Sequence, residues 1–197
     1  MTILTINKTT DKLQMLFVCA AFLSHERENM KTQRKHLKNL TNAGIIAALY
    51  VALTAISAVF GLSSGAIQVR ISEALCVLPV YTFAAVPGVT VGCLISNILF
   101  GGTIYDMIFG TLATLIGAIV AYLIRKKPYL ASISTIAANT AIIPAVLILQ
   151  GIGGWNMFPY FALTVGIGEV IACGVLGTVL IAYFEKHEHH KKMLFGE

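Results

Sequence analysis

Charged residues are scarce in the middle of this chain, which has 197 residues in total. Charged residues make up 12 % of the sequence, whereas soluble domains carry roughly a quarter. Between Leu40 and Phe184 the charged positions are Arg70, Glu73, Asp106, Arg125, Lys126, Lys127 and Glu169. Hydrophobic residues reach 57 %, and the mean hydropathy is +0.81. This composition excludes a soluble domain, a disordered tail and a secreted disulfide scaffold, and it leaves a helical membrane protein.

The groups that most enzymes need are also missing. No histidine lies between His36 and His187, so residues 61–65 (GLSSG), which fit a G-x-S-x-G nucleophile elbow, lack a base. No G-x-x-x-x-G-K-[ST] string is present, so ATP cannot bind through a Walker motif. Four cysteines stand singly in apolar surroundings: Cys19, Cys76, Cys93 and Cys173. We predict no enzymatic activity, no catalytic residue, no metal site and no cofactor.

Six apolar segments follow one another, separated by Gly, Pro and polar clusters. Their predicted bounds are Ala43–Leu62, Ile67–Val86, Pro87–Phe100, Ile104–Ile124, Leu130–Gln150 and Phe158–Phe184. At ~1.5 Å per residue the third is too short for a full span, so it is a tilted continuation of its neighbours or a broken helix.

Basic residues flank these segments in three clusters. The clusters contain Lys31, Arg34, Lys35 and Lys38, then Arg125, Lys126 and Lys127, and finally Lys186, Lys191 and Lys192. With six crossings all three clusters fall on one face, and the opposite connections hold one basic residue, Arg70. The positive-inside rule therefore predicts an all-α, multi-pass membrane protein with six transmembrane helices and both termini cytoplasmic. The net charge of +5 is explained by these flanks and indicates no nucleic-acid partner.

The first residues differ from the rest of the chain. Leu13–Leu23 is an apolar run too short to span a bilayer, and no small-x-small cleavage site follows it. Residues 26–28 (ERE) can be encoded by a purine-rich string that resembles a ribosome-binding site just before Met30. We expect residues 1–29 to be a non-functional extension, with Met30 as the true start.

Polar and aromatic residues gather in the outer connections, opposite the basic clusters. They are Gln68, Arg70, Glu73, Asn97, Tyr105, Asp106 and Trp155. This convergence predicts a solute pocket open to the outside. An Arg70–Glu73 salt bridge on one helix face is the structural alternative for that pair. Asp106 can instead cap the fourth segment, because carboxylates are stabilised near helix N-termini.

Glu169 lies inside the sixth segment, directly after Gly166 and Gly168 and before Gly174 and Gly177. A carboxylate at membrane depth is costly unless it is paired or hydrated, so it indicates a ligand site. The alternative is a structural hydrogen bond to a neighbouring helix.

Small residues recur at four-residue spacing in two segments. The first segment has Gly44, Ala48 and Ala52 beside Ala43 and Ala47, and the third has Gly88, Gly92 and Ser96. Such ridges let helices approach closely in lipid. We expect internal packing for the third segment, and the first is a candidate surface for another membrane protein.

One stretch resembles a known family. Residues 68–75 (QVRISEAL), closed by Leu78 and Pro79, resemble the QueT family of substrate-binding S components of energy-coupling factor (ECF) transporters, which are linked to queuosine precursors. The resemblance continues through residues 92–94 (GCL), Asn97, Asp106, residues 109–115 (FGTLATL) and residues 166–169 (GIGE). It covers roughly residues 40–184.

The resemblance implies a compact six-helix bundle as the membrane domain, residues 30–197, in the bacterial cell membrane. It implies a 7-deazaguanine ligand, such as 7-cyano- or 7-aminomethyl-7-deazaguanine, bound from outside. The partners would be a transmembrane coupling protein and two cytoplasmic ATPases. In such families Ala-rich ridges of the first helix contact the coupling protein, which here implies Ala43, Ala47, Ala48 and Ala52.

A guanine-like ligand suits the predicted pocket. One carboxylate, Glu169 or Glu73, can accept both the ring N–H and the exocyclic amine. Trp155 or Tyr105 can stack on the ring, Asn97 or Gln68 can meet the carbonyl, and Arg70 can hold the carboxylate. Two alternatives remain: an S component for another vitamin or nucleobase, and a self-sufficient transporter with Glu169 as the proton carrier.

Overall fold

A computed structural model describes residues 2–61, 69–100 and 102–195, which contain helices and turns and no β-strand. The chain divides into two compact units, Met1–Asn39 and Leu40–Glu197. The first helix, α1, runs Thr2–Val59, and its N-terminal part forms the first unit. Every side chain from residue 23 to residue 38 is exposed, so this stretch contributes nothing to a core.

The second unit contains the remaining helices. After α1 come a 3₁₀ helix (Ile71–Val80), α2 (Ala85–Leu99) and a π-helical turn (Asp106–Gly110) that continues into α3 (Thr111–Leu123). Then follow α4 (Ala131–Leu149), α5 (Phe158–Glu169), a π-helical segment (Val170–Leu176), α6 (Gly177–Lys186) and α7 (Glu188–Phe195). Short 3₁₀ turns lie at Pro128–Leu130 and Trp155–Met157. The all-helical fold class predicted from the sequence is confirmed for the described residues.

Within the described residues, four helical stretches are long and apolar enough to cross a membrane. They are Leu23–Val59, Asp106–Leu123, Pro128–Leu149 and Trp155–Lys186. The second and third predicted segments correspond to shorter helices, Ile71–Val80 and Ala85–Leu99. The second segment therefore ends as a helix six residues before the predicted Val86, and its predicted start at Ile67 lies outside the described residues.

The 3₁₀ helix runs antiparallel to α1, as three hydrogen bonds show. The backbone N–H of Ile71 donates to Ser57 Oγ (2.9 Å), and Thr54 Oγ1 donates to Ser72 Oγ (2.8 Å). One turn further back along α1, the Tyr50 hydroxyl donates to Glu73 Oε1. Residue numbers fall along α1 as they rise along the 3₁₀ helix, so the two elements point in opposite directions.

Helix α2 runs parallel to α1 and packs against it through glycine. A Cβ built at Gly88 would lie 2.9 Å from the Ala43 carbonyl oxygen, and one at Gly92 would lie 2.7 Å from the Tyr50 Cβ. Side chains would hold these helices apart, whereas glycine lets their backbones approach. Gly88 and Gly92 of the third predicted segment thus serve internal packing, as expected.

The 3₁₀ helix lies at the centre of the second unit. All nine residues from Ser72 to Val80 are buried. Around Val77 the core contains Tyr50, Val89 and Ile181, which come from α1, α2 and α6. The outer faces of the helices instead expose apolar side chains, among them Leu94, Ile98, Leu112, Ile119, Leu163 and Val179. So large an apolar exterior suits lipid rather than water as the surrounding solvent.

Helix α7 packs against the part of α1 around Asn42 and against Tyr81, which follows the 3₁₀ helix. Asn42 Nδ2 donates to the Leu194 carbonyl (3.1 Å), and the Phe195 ring stacks on Tyr81 with centroids 5.8 Å apart. An ion pair joins Lys191 to Glu185 at 3.4 Å. The C-terminal helix is therefore tied to the core by hydrogen-bonding, aromatic and ionic contacts.

Candidate solute-binding site

A cavity of about 490 Å³ lies at the opposite end of the second unit, where α1, α2 and α4 end and the 3₁₀ helix begins. Its size falls within the range of small-molecule sites. The lining residues are Thr54, Ala58, Arg70, Glu73, Cys93, Ser96, Asn97, Phe100, Gly102, Asp106, Gly110, Thr114, Asn139, Ile143, Leu147, Gln150, Ile152, Val165 and Glu169. Five predicted ligand-binding residues are therefore brought together: Arg70, Glu73, Asn97, Asp106 and Glu169.

The cavity is deep rather than shallow. Its wall on α4 extends from Gln150, just after the helix end, to Asn139, which at 1.5 Å per residue is a distance of about 16 Å. On the next wall it extends from Asp106 to Thr114, or about 12 Å. A solute at the bottom of this cavity is surrounded by helices, whereas the rim at Phe100 and Ile152 is exposed.

Glu169 is the last residue of α5, directly before the π-helical segment Val170–Leu176. Its Oε1 accepts a hydrogen bond from Asn139 Nδ2 at 2.9 Å. Its Oε2 is buried and has no hydrogen-bond partner among the described residues. Buried polar atoms are normally paired, so an open acceptor in a cavity wall calls for a donor from a ligand or water. Local π-helix is also frequent at functional sites.

Glu73 differs from Glu169 because both its oxygens are already engaged. Oε1 accepts from the Tyr50 hydroxyl at 2.5 Å, and Oε2 accepts from the Cys76 thiol at 3.1 Å. The side chain is only 3 % exposed. The sequence left the two carboxylates equivalent, and the geometry leaves the unmet acceptor on Glu169.

Arg70 is oriented by an amide rather than by a carboxylate. Its NH1 group donates to Asn97 Oδ1 at 3.1 Å, and Asn97 Nδ2 donates in turn to the Asp106 carbonyl at 3.0 Å. Among the described residues, the ion pair within 4.0 Å is Lys191–Glu185. Arg70 and Glu73 therefore do not form the salt bridge that their spacing in the sequence suggested. Asn97, near the end of α2, therefore links the residue before the 3₁₀ helix to the start of the π-helical turn.

Asp106 caps a helix as well as lining the cavity. Its Oδ2 accepts from the Thr103 backbone N–H at 2.9 Å, and Thr103 Oγ1 accepts from the Asp106 backbone N–H at 3.3 Å. This reciprocal pair is a capping box, which satisfies two backbone donors at a helix start. The structural reading of Asp106 is thus correct, and it fixes the position of the carboxylate at the rim.

Two other predicted ligand-binding residues, both described, are not in the cavity wall. Trp155 is 66 % exposed and belongs to a short 3₁₀ turn after α4. Tyr105 is 40 % exposed, and because it precedes Asp106 by one residue its side chain points about 100° away around the helix. Among the described lining residues, the aromatic one is Phe100. Gln68 lies outside the described residues.

The four alanines predicted to dock a partner divide between two faces of α1. Ala47 is buried and lies against Gly92, and the carbonyl of Ala43 lies against Gly88. These two therefore serve packing within the chain. Ala48 and Ala52 are exposed.

The ligand-binding residues predicted from the sequence did not include several polar residues of the wall, among them Asn139, Ser96 and Gln150. Asn139 is 3 % exposed and holds Glu169. Ser96 Oγ and Gln150 Nε2 are buried and, within the described part of the chain, without hydrogen-bond partners. Asn139 is a polar amide inside a 19-residue apolar helix, so the rule that singled out Glu169 also applies to it.

The apolar helices around a deep polar cavity define a multi-pass membrane protein. Residues 40–186, most of the chain, match the QueT transporter family. The chain belongs to this family, which confirms the resemblance read from residues 68–75. Because the family is one of transporters, the prediction that the chain is not an enzyme is also confirmed.

A curated relative is the protein named queuosine precursor transporter QueT from Lactococcus lactis subsp. cremoris (strain MG1363). It is 40 % identical over 78 residues, which are 40 % of this chain and 46 % of the relative. The chain thus matches less than half the length of that protein. No solved structure matches the chain significantly.

Proposed function

We propose that this protein is the substrate-binding S component of an ECF transporter that imports a queuosine precursor of the 7-deazaguanine class. Membership of the QueT transporter family and the name of the Lactococcus relative support the substrate class. The cavity volume supports a single small heterocycle as the bound solute.

The observation that carries the proposal is the open acceptor Glu169 Oε2 in the cavity wall. A guanine-like edge presents a ring N–H beside an exocyclic amine, and one carboxylate can accept from both. Asn139 holds the other oxygen, so the carboxylate is oriented before the ligand arrives. In this proposal Glu169 accepts hydrogen bonds from the edge of the ligand ring, and Glu73 holds the 3₁₀ helix in place through its hydrogen bond from Tyr50.

Other wall residues complete the proposed contacts. The carbonyl of the ligand needs a donor, and Ser96 Oγ and Gln150 Nε2 are buried without partners in the described residues. The Asn97 amide is already bonded on both sides, so it acts by orienting Arg70. Phe100 takes the stacking role first given to Tyr105 and Trp155, because its ring lies in the described wall and theirs do not.

The proposed topology has six crossings, with both termini cytoplasmic and the cavity open to the outside of a bacterial cell membrane. The antiparallel 3₁₀ helix and the parallel α2 support an alternating course along α1. At ~2.0 and ~1.5 Å per residue they are each about 20 Å long, below the ~30 Å of the hydrocarbon core. The 3₁₀ helix is surrounded by protein, so it does not need to meet lipid along its length.

The proposed partners are a transmembrane coupling protein and two ATPases, since no Walker motif is present in the chain to drive import. The exposed Ala48 and Ala52 give α1 a surface on which a second helix can pack closely.

The test is calorimetric titration of the purified protein with 7-cyano- and 7-aminomethyl-7-deazaguanine, with guanine as the competitor. We expect micromolar or tighter binding of a deazaguanine and a loss of at least tenfold in Glu169→Gln. Glu185→Gln is the matched control, because Glu185 is an exposed carboxylate at the opposite end. Unchanged affinity in Glu169→Gln contradicts the role given to this carboxylate.

A self-sufficient transporter is the second candidate, and the buried Glu169 is the observation that favours it. In that case uptake continues without the ATPases and stops when a protonophore collapses the proton gradient. Co-purification of the chain with an ATPase pair supports the S component instead. Competition by other vitamins or nucleobases identifies an S component of different specificity.

A further inference from the structure

We propose that the cavity selects cationic ligands over neutral ligands of the same shape. This inference rests on the proposed function for the ring that the ligand carries. The selection itself follows from the charges in the cavity wall.

The described wall holds three carboxylates, Glu73, Asp106 and Glu169, and one guanidinium, Arg70. When all four are ionised, two negative charges are uncompensated. If Glu169 takes up a proton, one negative charge still remains. A water-poor cavity strengthens the attraction of these charges for a cation, because the effective dielectric constant there is lower than in bulk water.

Arg70 does not cancel these charges through direct contact. Its recorded hydrogen bond goes to the neutral amide of Asn97, and no carboxylate oxygen within the described residues lies within 4.0 Å of its nitrogens. The donors on Glu73 are the uncharged Tyr50 hydroxyl and Cys76 thiol. The carboxylates of the wall are therefore held by neutral groups.

The cavity also has acceptor capacity for a charged donor. The proposed function assigns Glu169 Oε2 to the ring edge, but the hydroxyl of Ser96, a residue only 1 % exposed, is also buried without a partner in the part of the chain that is described. The recorded hydrogen bonds to the Asp106 carboxylate both go to Oδ2. An ammonium group that donates to a carboxylate makes a bond roughly twice as strong as one between neutral groups. The open acceptor and the excess negative charge thus favour the same class of ligand.

Two probes test the proposal because they share a ring and differ in one substituent. At neutral pH 7-aminomethyl-7-deazaguanine carries an ammonium group, and 7-cyano-7-deazaguanine carries an uncharged nitrile. We expect the cationic probe to bind the full-length protein about tenfold more tightly or better, as one uncompensated charge near the ligand would produce. The measured quantity is the ratio of the two dissociation constants by calorimetry.

Variants that change the charge of the wall should move this ratio in opposite directions. Asp106→Asn removes a negative charge and should lower the preference for the cationic probe. Gln150→Glu adds a carboxylate of nearly the same shape and should raise it. Glu185→Gln, at the far end of the unit, should leave it unchanged. A merely structural role for either wall residue would not give opposite signs.

The outcomes distinguish a failure of charge selection from a failure of the proposed function. Equal affinities for the probes, or tighter binding of the nitrile, overturn charge selection and leave the proposed function in place. A ratio unmoved in both folded wall variants also overturns it. Failure of both probes to bind folded wild-type protein overturns the proposed function and this inference together.

Discussion

The contact between α1 and α2 allows a sharp test of the fold, because two glycines on these helices have opposite surroundings. A methyl group added at Gly92 would lie 2.7 Å from the Tyr50 Cβ and 3.0 Å from the Ala47 carbonyl oxygen. A methyl group added at Gly44 would have nothing within 4 Å. The substitutions Gly92→Ala and Gly44→Ala are therefore chemically identical and structurally opposite.

The magnitude follows from the overlap. Carbon atoms in contact sit about 3.5–4.0 Å apart, so the methyl group added by Gly92→Ala would overlap its neighbour by about 1 Å. Overpacking of this kind costs typically about 1–3 kcal/mol, and the obstacle includes backbone, which cannot rotate away. Alanine offsets about 1 kcal/mol of this through its helix propensity. We expect a net loss of up to about 2 kcal/mol, or up to about 8 °C in Tm, relative to wild type. The difference from Gly44→Ala should be about 1–3 kcal/mol, because that variant gains the same helix propensity without the overlap.

Thermal unfolding in detergent, followed by circular dichroism, measures this difference. Gly92→Ala should unfold at a lower temperature than wild type, whereas Gly44→Ala should match wild type or exceed it. The Gly92 variant should also bind ligand less well, because Tyr50 holds Glu73 in the cavity wall. If Gly92→Ala is as stable as Gly44→Ala, the close approach of α1 and α2 is wrong.

Three further substitutions test the cavity wall and the C-terminal helix. Asn139→Leu leaves Glu169 without its donor and should weaken ligand binding about tenfold in calorimetry; unchanged binding would show that the amide is dispensable. Tyr50→Phe leaves one oxygen of Glu73 unpaired and should cost about 1–3 kcal/mol in thermal unfolding, with retained stability arguing against this bond. Phe195→Ala removes a ring stack at the far end and should lower Tm while leaving ligand affinity unchanged; reduced affinity would contradict the separation of the two ends.

The apolar helices and their order were predictable because hydropathy and charge are local properties of the sequence. Each of the six predicted segments corresponds to an apolar helix in the described residues, although the helix of the second, Ile71–Val80, is shorter than predicted. Hydropathy could not identify Ile71–Val80 as a central 3₁₀ helix. Burial on every side depends on which other helices surround a segment, and that information is not local.

The roles of the carboxylates could not be read from the sequence for the same reason. Glu73 accepts one of its two hydrogen bonds from a residue 23 positions earlier, and Glu169 accepts from one 30 positions earlier. Helical periodicity does place Ala43 and Ala47 on a different face from Ala48 and Ala52. It cannot say which face meets α2, and only the glycines at positions 88 and 92 decide that.

The central position of the 3₁₀ helix has a consequence for biosynthesis. Ten residues that include Ser72, Glu73 and Pro79 cannot remain as an independent span in lipid, since they are too short and too polar. Their burial needs α6, which is made more than 90 residues later. Insertion therefore cannot proceed by adding one finished helix after another. The 3₁₀ segment therefore stays unburied until α6 has been synthesised. A chain that ends before α6 leaves Ser72 and Glu73 exposed, in a form that quality-control proteases can recognise.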